Sequence, residues 1–336
     1  MKKADQAKLK RELIALKTRG DPDLDQIAMA TRAQTIRRDR VAAKKLEPLL
    51  AKTFDVEKID RVMAQRQPER TNIGKKRPAE IGKAQAALEQ GFRRGVDNRR
   101  MALEILATPG LPPTSTYIAL DPFMIWARPS NFLRDSSIPP KKTYANISWA
   151  KVYFDTSSGS GRNEVTFYYV WENPSAYYAV VNAVAALMLN GYCKVTALSG
   201  VFSGGDSSIS AKAALRPLEW WNQPPTPATY PQASSSRVIV EIEAHAGGFF
   251  SYSTEDDEYV ARGIDLRYDL FSIPPGGVAV FEVALIVDYA VDDGWLQVDF
   301  GGPQATSSSY SIRCPSLQLE LITAPPLGFG APPMNA

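Results

Sequence analysis

The spacing of apolar residues changes character once along the chain, near Ser115. Before it, apolar positions recur at three- and four-residue steps, the period of a helix with one buried stripe. The clearest case follows Pro78, where Ile81, Ala84, Leu88, Phe92, Val96, Leu103 and Leu106 form one stripe. Further helices are predicted from about Lys3 to Arg19, stopped by Gly20, then from Asp21-Pro22 to about Lys52, and from Val56 to Gln67. After Ser115 the period is two and stays so. Nine or ten strands are predicted: TYIALDPFMIWA, NISWAKVYFD, EVTFYYVWEN, YYAVVNAVAALML, ISAKAALRPLEWW, RVIVEIEAH, GIDLRYDLFSI, VAVFEVALIVDYAV with WLQVDF, and PSLQLELITA. Turns rich in Gly, Pro and Ser separate them. With no crossover helices among them, these strands make antiparallel sheets with one buried face, a sandwich of the jelly-roll kind.

The fold class is therefore α+β in two regions. A basic helical arm occupies residues 1–108, a linker 109–114, the antiparallel sandwich 115–325, and a flexible tail 326–336. Asp293-Gly294 is a strong two-residue hairpin signal. It predicts a hairpin with Tyr289 facing Val298 and Val287 facing Phe300, their side chains in the core. The same register sets Asp288 against Asp299, a repulsive pair unless a bulge, an arginine such as Arg267, or a cation intervenes. The run AYYAVVNAVAALMLNGYC, broken by Asn182 and Asn190, is read as a buried strand pair.

Charge sharpens the division. Residues 1–110 hold 26 Lys+Arg against 15 Asp+Glu, a net +11, while the remainder carries −8. All aromatics except Phe54 and Phe92 lie in the second region. The arm's narrow, Ala-rich stripes make no sizeable core, so its helices must pack on one another, on the β domain or on another copy. Lys75, Lys76, Arg77, Arg93, Arg94, Arg99 and Arg100 are its candidate contacts to nucleic acid or an acidic protein surface. Interspersed acids and the lack of aromatics for base stacking count against nucleic acid; solvated helix faces are the plainer reading.

Catalytic chemistry is sparse. His245 is the single histidine, which excludes sites needing several imidazoles within one chain. There is no GxSxG elbow, P-loop or GxGxxG after a strand. Cys193 and Cys314 sit in apolar strand patterns and read as buried free thiols. Two acids suffice for glycoside hydrolysis, and the candidates are Glu219 beside Trp220, Glu172 after an exposed-looking Trp171, and the acids of TEDDE up to Glu258, read otherwise as a polar loop. In WWNQPPTPATYPQ, four prolines stiffen a stretch carrying Trp220, Trp221 and Tyr230, a candidate surface for stacking sugars or docking protein. No cofactor or metal is expected. No segment reaches the roughly 18 apolar residues of a membrane span, and the N-terminus lacks the apolar region of a signal peptide. A cytoplasmic protein or part of an assembled particle is expected.

These features predict a non-enzymatic structural or assembly protein, a homo-oligomer whose helical arm mediates self-association or holds a polyanion. A basic arm ahead of an all-β body is the general layout of many jelly-roll shell proteins, a layout and not a kinship. The alternative is a carbohydrate- or protein-binding, lectin-like sandwich using the Trp220/Trp221 loop. A glycan-active enzyme comes third.

Overall fold

The computed structural model describes residues 3–18, 114–140, 147–198, 205–219, 235–246, 253–301 and 310–323. The helices predicted between residues 20 and 106 lie outside them. The first predicted helix is present as α1 (Lys3–Thr18), and no helix among the described residues is long and apolar enough to cross a membrane. The body is built of β1 (Thr114–Leu120), β2 (Met124–Arg128), β3 (Leu133–Ser137), β4 (Trp149–Thr156), β5 (Gly159–Glu172), β6 (Ala179–Leu198) and β7 (Gly205–Glu219). It continues with β8 (Ser235–Ala246), β9 (Ser253–Ile273), β10 (Val278–Asp292), β11 (Gly294–Phe300), β12 (Ser311–Arg313) and β13 (Leu317–Thr323).

These strands form two antiparallel sheets packed as a sandwich. The five-stranded sheet runs β2-β5-β10-β7-β8. In the eight-stranded sheet β6 is the spine. One edge of β6 pairs with β9 along almost its whole length. The other edge is shared in succession by β13, β12 and β11. Alternate residues of β6, among them Ala183, Leu187, Cys193 and Val195, enter the core against Phe167, Tyr169, Phe281, Val283 and Leu285 of the other sheet. Phe271 stacks edge-on against Phe281, ring centroids 6.0 Å apart. Both cysteines are free and buried, as expected, and burial pushes the Cys193 thiol up to about 12. Tyr169 donates its hydroxyl to Cys314 Sγ at 2.9 Å.

The run read as a strand pair is one 20-residue strand, β6. Asn182 and Asn190 do not break it. The Asn182 amide donates to Glu320 Oε2 at 3.0 Å, and its carbonyl oxygen accepts from Leu270 N at 3.0 Å, holding a bulge where β9 shifts register and Leu270 takes φ 57°. TYIALDPFMIWA, in turn, divides at Asp121–Phe123, giving β1 to one sheet and β2 to the other. Val238 also departs from expectation. A register shift in β8 opposite Ala211/Lys212 leaves it 61% exposed and turns Ile239 inward.

The largest correction concerns the hairpin. Residues 278–292 and 294–300 are strands that do not pair, since β10 lies in the five-stranded sheet and β11 in the eight-stranded one. Tyr289 aligns with Gly161 and Ile209 and is half-buried; Val298 aligns with Cys193 and Phe154. A type I′ turn needs positive φ at both central residues. Asp293 has φ 56°, but Gly294 is not among the glycines with positive φ. A Cβ on Gly294 would stand 2.1 Å from Thr196 O, so its small size serves close approach to β6. The chain crosses the sandwich there, and both strands still deliver their apolar residues to the same interior.

Asp288 and Asp299 therefore lie in different sheets and do not face each other. On the outer face of the five-stranded sheet, Arg162 donates to Asp288 through Nε (2.6 Å) and Nη2 (2.8 Å), with Lys212 Nζ 3.6 Å away. The cation that Asp288 meets is Arg162, whereas Arg267 pairs with Asp269. Six residues back along β10, Arg216 sits between Glu164 and Glu282, with Nε 2.9 Å from Glu282 Oε2. Asp288 is buried, and Asp288→Ala would remove the bidentate partner of the half-buried Arg162; a loss of about 1–3 kcal/mol is expected, measured by urea unfolding. Gly191→Ala would put a Cβ 2.3 Å from Phe300 Cδ1. A loss of roughly 1–3 kcal/mol is expected by the same measurement.

Candidate functional site

Every predicted binding residue lies outside the described residues: Trp220, Trp221 and Tyr230 in the stiff loop, and Lys75, Lys76, Arg77, Arg93, Arg94, Arg99 and Arg100 in the arm. The described residues nonetheless present a polar, aromatic surface of another origin, the outer face of the eight-stranded sheet. Antiparallel registry aligns Tyr259 of β9 with Tyr192 of β6, Tyr192 with Asp299 of β11, and Asp299 with Tyr153 of β4. This row crosses four strands, about 14 Å at the usual interstrand spacing. The next row is Asp257, Lys194, Gln297 and Asp155.

The row varies in depth. Tyr259 is 56% exposed, Tyr192 half-buried, and Asp299 and Tyr153 buried. Tyr259 donates its hydroxyl to Asn190 Oδ1 at 2.6 Å, and its ring lies 6.0 Å from that of Tyr310. Burial, then the nearby Asp257 carboxylate, pushes the Tyr192 hydroxyl up to about 12. Burial likewise raises Tyr153, with Asp155 adding to the effect, while the Arg134 guanidinium lies 5.3 Å from its ring and opposes it. Both phenols remain protonated donors at neutral pH. Lys194 Nζ reaches Glu255 at 2.5 Å, and Lys151 Nζ lies 5.5 Å from the Trp149 ring. Flat rings beside fixed donors and acceptors suit a ligand with one apolar face and a hydroxylated edge. Of these positions Tyr153 and Asp299 lay on the polar side of predicted strands, while Asp257 fell in the TEDDE acids, read otherwise as a polar loop. The signal that would have found them is the frequency of Tyr and Trp at outward positions.

The candidate acids for hydrolysis are placed differently from expectation. Acids 255–258 lie in β9 and not in a loop, with Glu255 and Asp257 aligned with Thr196 and Lys194. Trp171, expected to be exposed, is 7% exposed and belongs to the core. Glu172 and Glu219 flank β10 one row apart, opposite Val278 and Ala279. Among the described residues no group of three or more His, Cys, Asp and Glu converges as metal ligands would.

His245 of β8 is held between two carboxylates. Its Nδ1 meets Asp206 Oδ1, and its Nε2 lies 3.1 Å from Glu243 Oε2. With an acceptor at each nitrogen the imidazolium is favoured. The Asp206 contact is the main cause of its raised pKa, and partial burial opposes it.

No protein-family model matches the chain, and no curated protein matches it. Solved structures overlap it only loosely. The enzymatically active domain of bacteriophage CBA120 tailspike protein 4 is 10% identical, with a TM-score of 0.19, over 56% of this chain. The chain covers 19% of that structure, well under two thirds of its length. The carbohydrate-binding module TmCBM61, solved with β-1,4-galactotriose, is 11% identical (TM-score 0.18) over 55% of this chain and 83% of its own. TmCBM27, solved in a study of mannan recognition, is 11% identical (TM-score 0.16) over 60% and 98%. Similarity at this level carries no argument about ligand or mechanism.

The histidine yields a test by pH. A folded pKa above the unfolded value near 6.5 gives stabilisation fully present below that value and lost as pH rises through the folded pKa. Melting temperatures of the wild type and His245→Gln should therefore differ most at pH 5–6 and converge at pH 9. An equal difference at both ends would show that the imidazole is not held as the charged form.

Proposed function

We propose that the protein is a non-enzymatic β-sandwich that binds carbohydrate on the outer face of its eight-stranded sheet. The carrying observation is the row from Tyr259 to Tyr153, with an exposed ring at one end and protonated phenols beside carboxylates and Lys194 along it. A pyranose presents an apolar C–H face to a ring and hydroxyls to polar neighbours, and this surface offers both kinds of contact. Trp220, Trp221 and Tyr230 remain candidates for a second contact.

A second reading is supported by the charge division of +11 against −8 and by the docking of α1 on the body. It is an assembly protein whose arm joins copies or holds an acidic partner.

The test is a glycan array followed by calorimetry on the best ligand. Tyr259→Ala is expected to weaken binding about tenfold, the loss of one stacking contact. Trp221→Ala, measured in parallel, reports whether the loop contributes. A wild-type chain that retains no glycan, or one indifferent to Tyr259→Ala, would remove the reading. A defined high-mass oligomer without glycan binding would favour assembly.

A further inference from the structure

The outer face of the five-stranded sheet carries an apolar patch separate from the sandwich interior. Leu9 and Leu13 of α1 are buried there among Met124, Tyr168, Leu218 and Val280, with Ile14 packed at the margin. The helix turns Lys8, Lys10 and Arg11 to solvent. We propose that this seat is a joint between copies, in which the sheet of one chain receives Lys3–Thr18 of a second copy.

Three features support that occupant. First, a 16-residue helix is marginal in water by itself, so α1 owes its structure to the seat and can form equally on any copy that offers one. Second, residues 19–113 separate α1 from β1. Even if that stretch were wholly helical it would span on the order of 140 Å. A body of this size has a radius of gyration under about 20 Å, so a neighbour's seat is within reach. Third, exchange buries the same side chains as docking at home and demands no new complementary surface. That makes swapping an identical element a low-cost route to oligomers. A long connection also confers a lower effective concentration on the home seat than a short one, which lets a second copy compete. The proposal is independent of the carbohydrate reading and would give the arm a defined role in assembly.

Cross-linking of full-length chains decides it. One tagged population carries Arg11→Cys on the exposed face of α1, and a differently tagged one carries Glu172→Cys at the exposed end of β5 beside the seat. Cys193 and Cys314 are buried and contribute little background. A long-armed bis-maleimide added to the mixture is expected to give a doubly tagged dimer. The dimer should fall at least about tenfold when Leu9→Asp and Leu13→Asp are added to the first population, because the charges cannot enter the apolar seat. Circular dichroism of that variant verifies that its body remains folded. A single chain bearing both cysteines tests docking at home. Linkage only within that chain, linkage in neither arrangement, or a mixed dimer unaffected by the aspartates would overturn the proposal.

Discussion

The whole body depends on one long ladder. β6 offers twenty consecutive residues with backbone groups on both edges, and β9 satisfies one edge almost from end to end. Such a ladder fixes register cooperatively, because a slip of one residue would turn every core side chain of β6 to solvent. With that edge closed, the opposite edge becomes a template on which three short strands are laid in order. β12 has only three residues and would hold no structure by itself. It is a strand because Leu189 and Ala150 stand on either side of Ile312.

The two faces of the other sheet obey different physics. Its inner face is apolar and packs against β6. Its outer face is apolar near α1 and then becomes a buried set of ion pairs, Glu164–Arg216–Glu282 followed by Arg162–Asp288–Lys212. Buried pairs seldom add net stability over apolar residues of similar volume, but breaking one is costly. Their effect is to penalise misregister. Glu282 and Asp288 on β10 have their cations on β5 or β7, and a shifted strand would leave those charges unpaired. The attraction of Glu164 and Glu282 accordingly raises Arg216 above its usual pKa against the opposing effect of burial.

How much of this was legible in the sequence follows from what alternation encodes. A period of two tells which residues share a face, and the inward sets of β10, β11 and β13 were read correctly from it. It does not tell which strand lies alongside. Val287 and Phe300 do enter the same core, but from opposite sheets, and a hairpin and a crossing have the same pattern at this point. Only the backbone of Asp293-Gly294 distinguishes them, through a glycine chosen for contact with Thr196 O. Asn182 misled for a related reason. An amide in an apolar run normally marks a break, yet here both of its polar ends bond to neighbouring strands.

The Tyr259–Tyr153 face was hidden by the same rule that revealed the core. Outward positions of a strand are read by default as solvated, so Tyr192, Tyr259 and Tyr153 appeared as unrelated residues on three separate segments. Registry aligns them with Asp299, and burial then does chemical work on the row. It holds the phenols as donors and leaves the Tyr259 ring uncovered. A surface of this kind needs no loop to form it, since its spacing is set by the interstrand distance. Loop sites adapt to their ligands; a face laid on β6 and its partners is as rigid as the sheet beneath it. Such a face gains affinity by meeting a ligand already shaped to it, because little conformational freedom remains to be lost on binding.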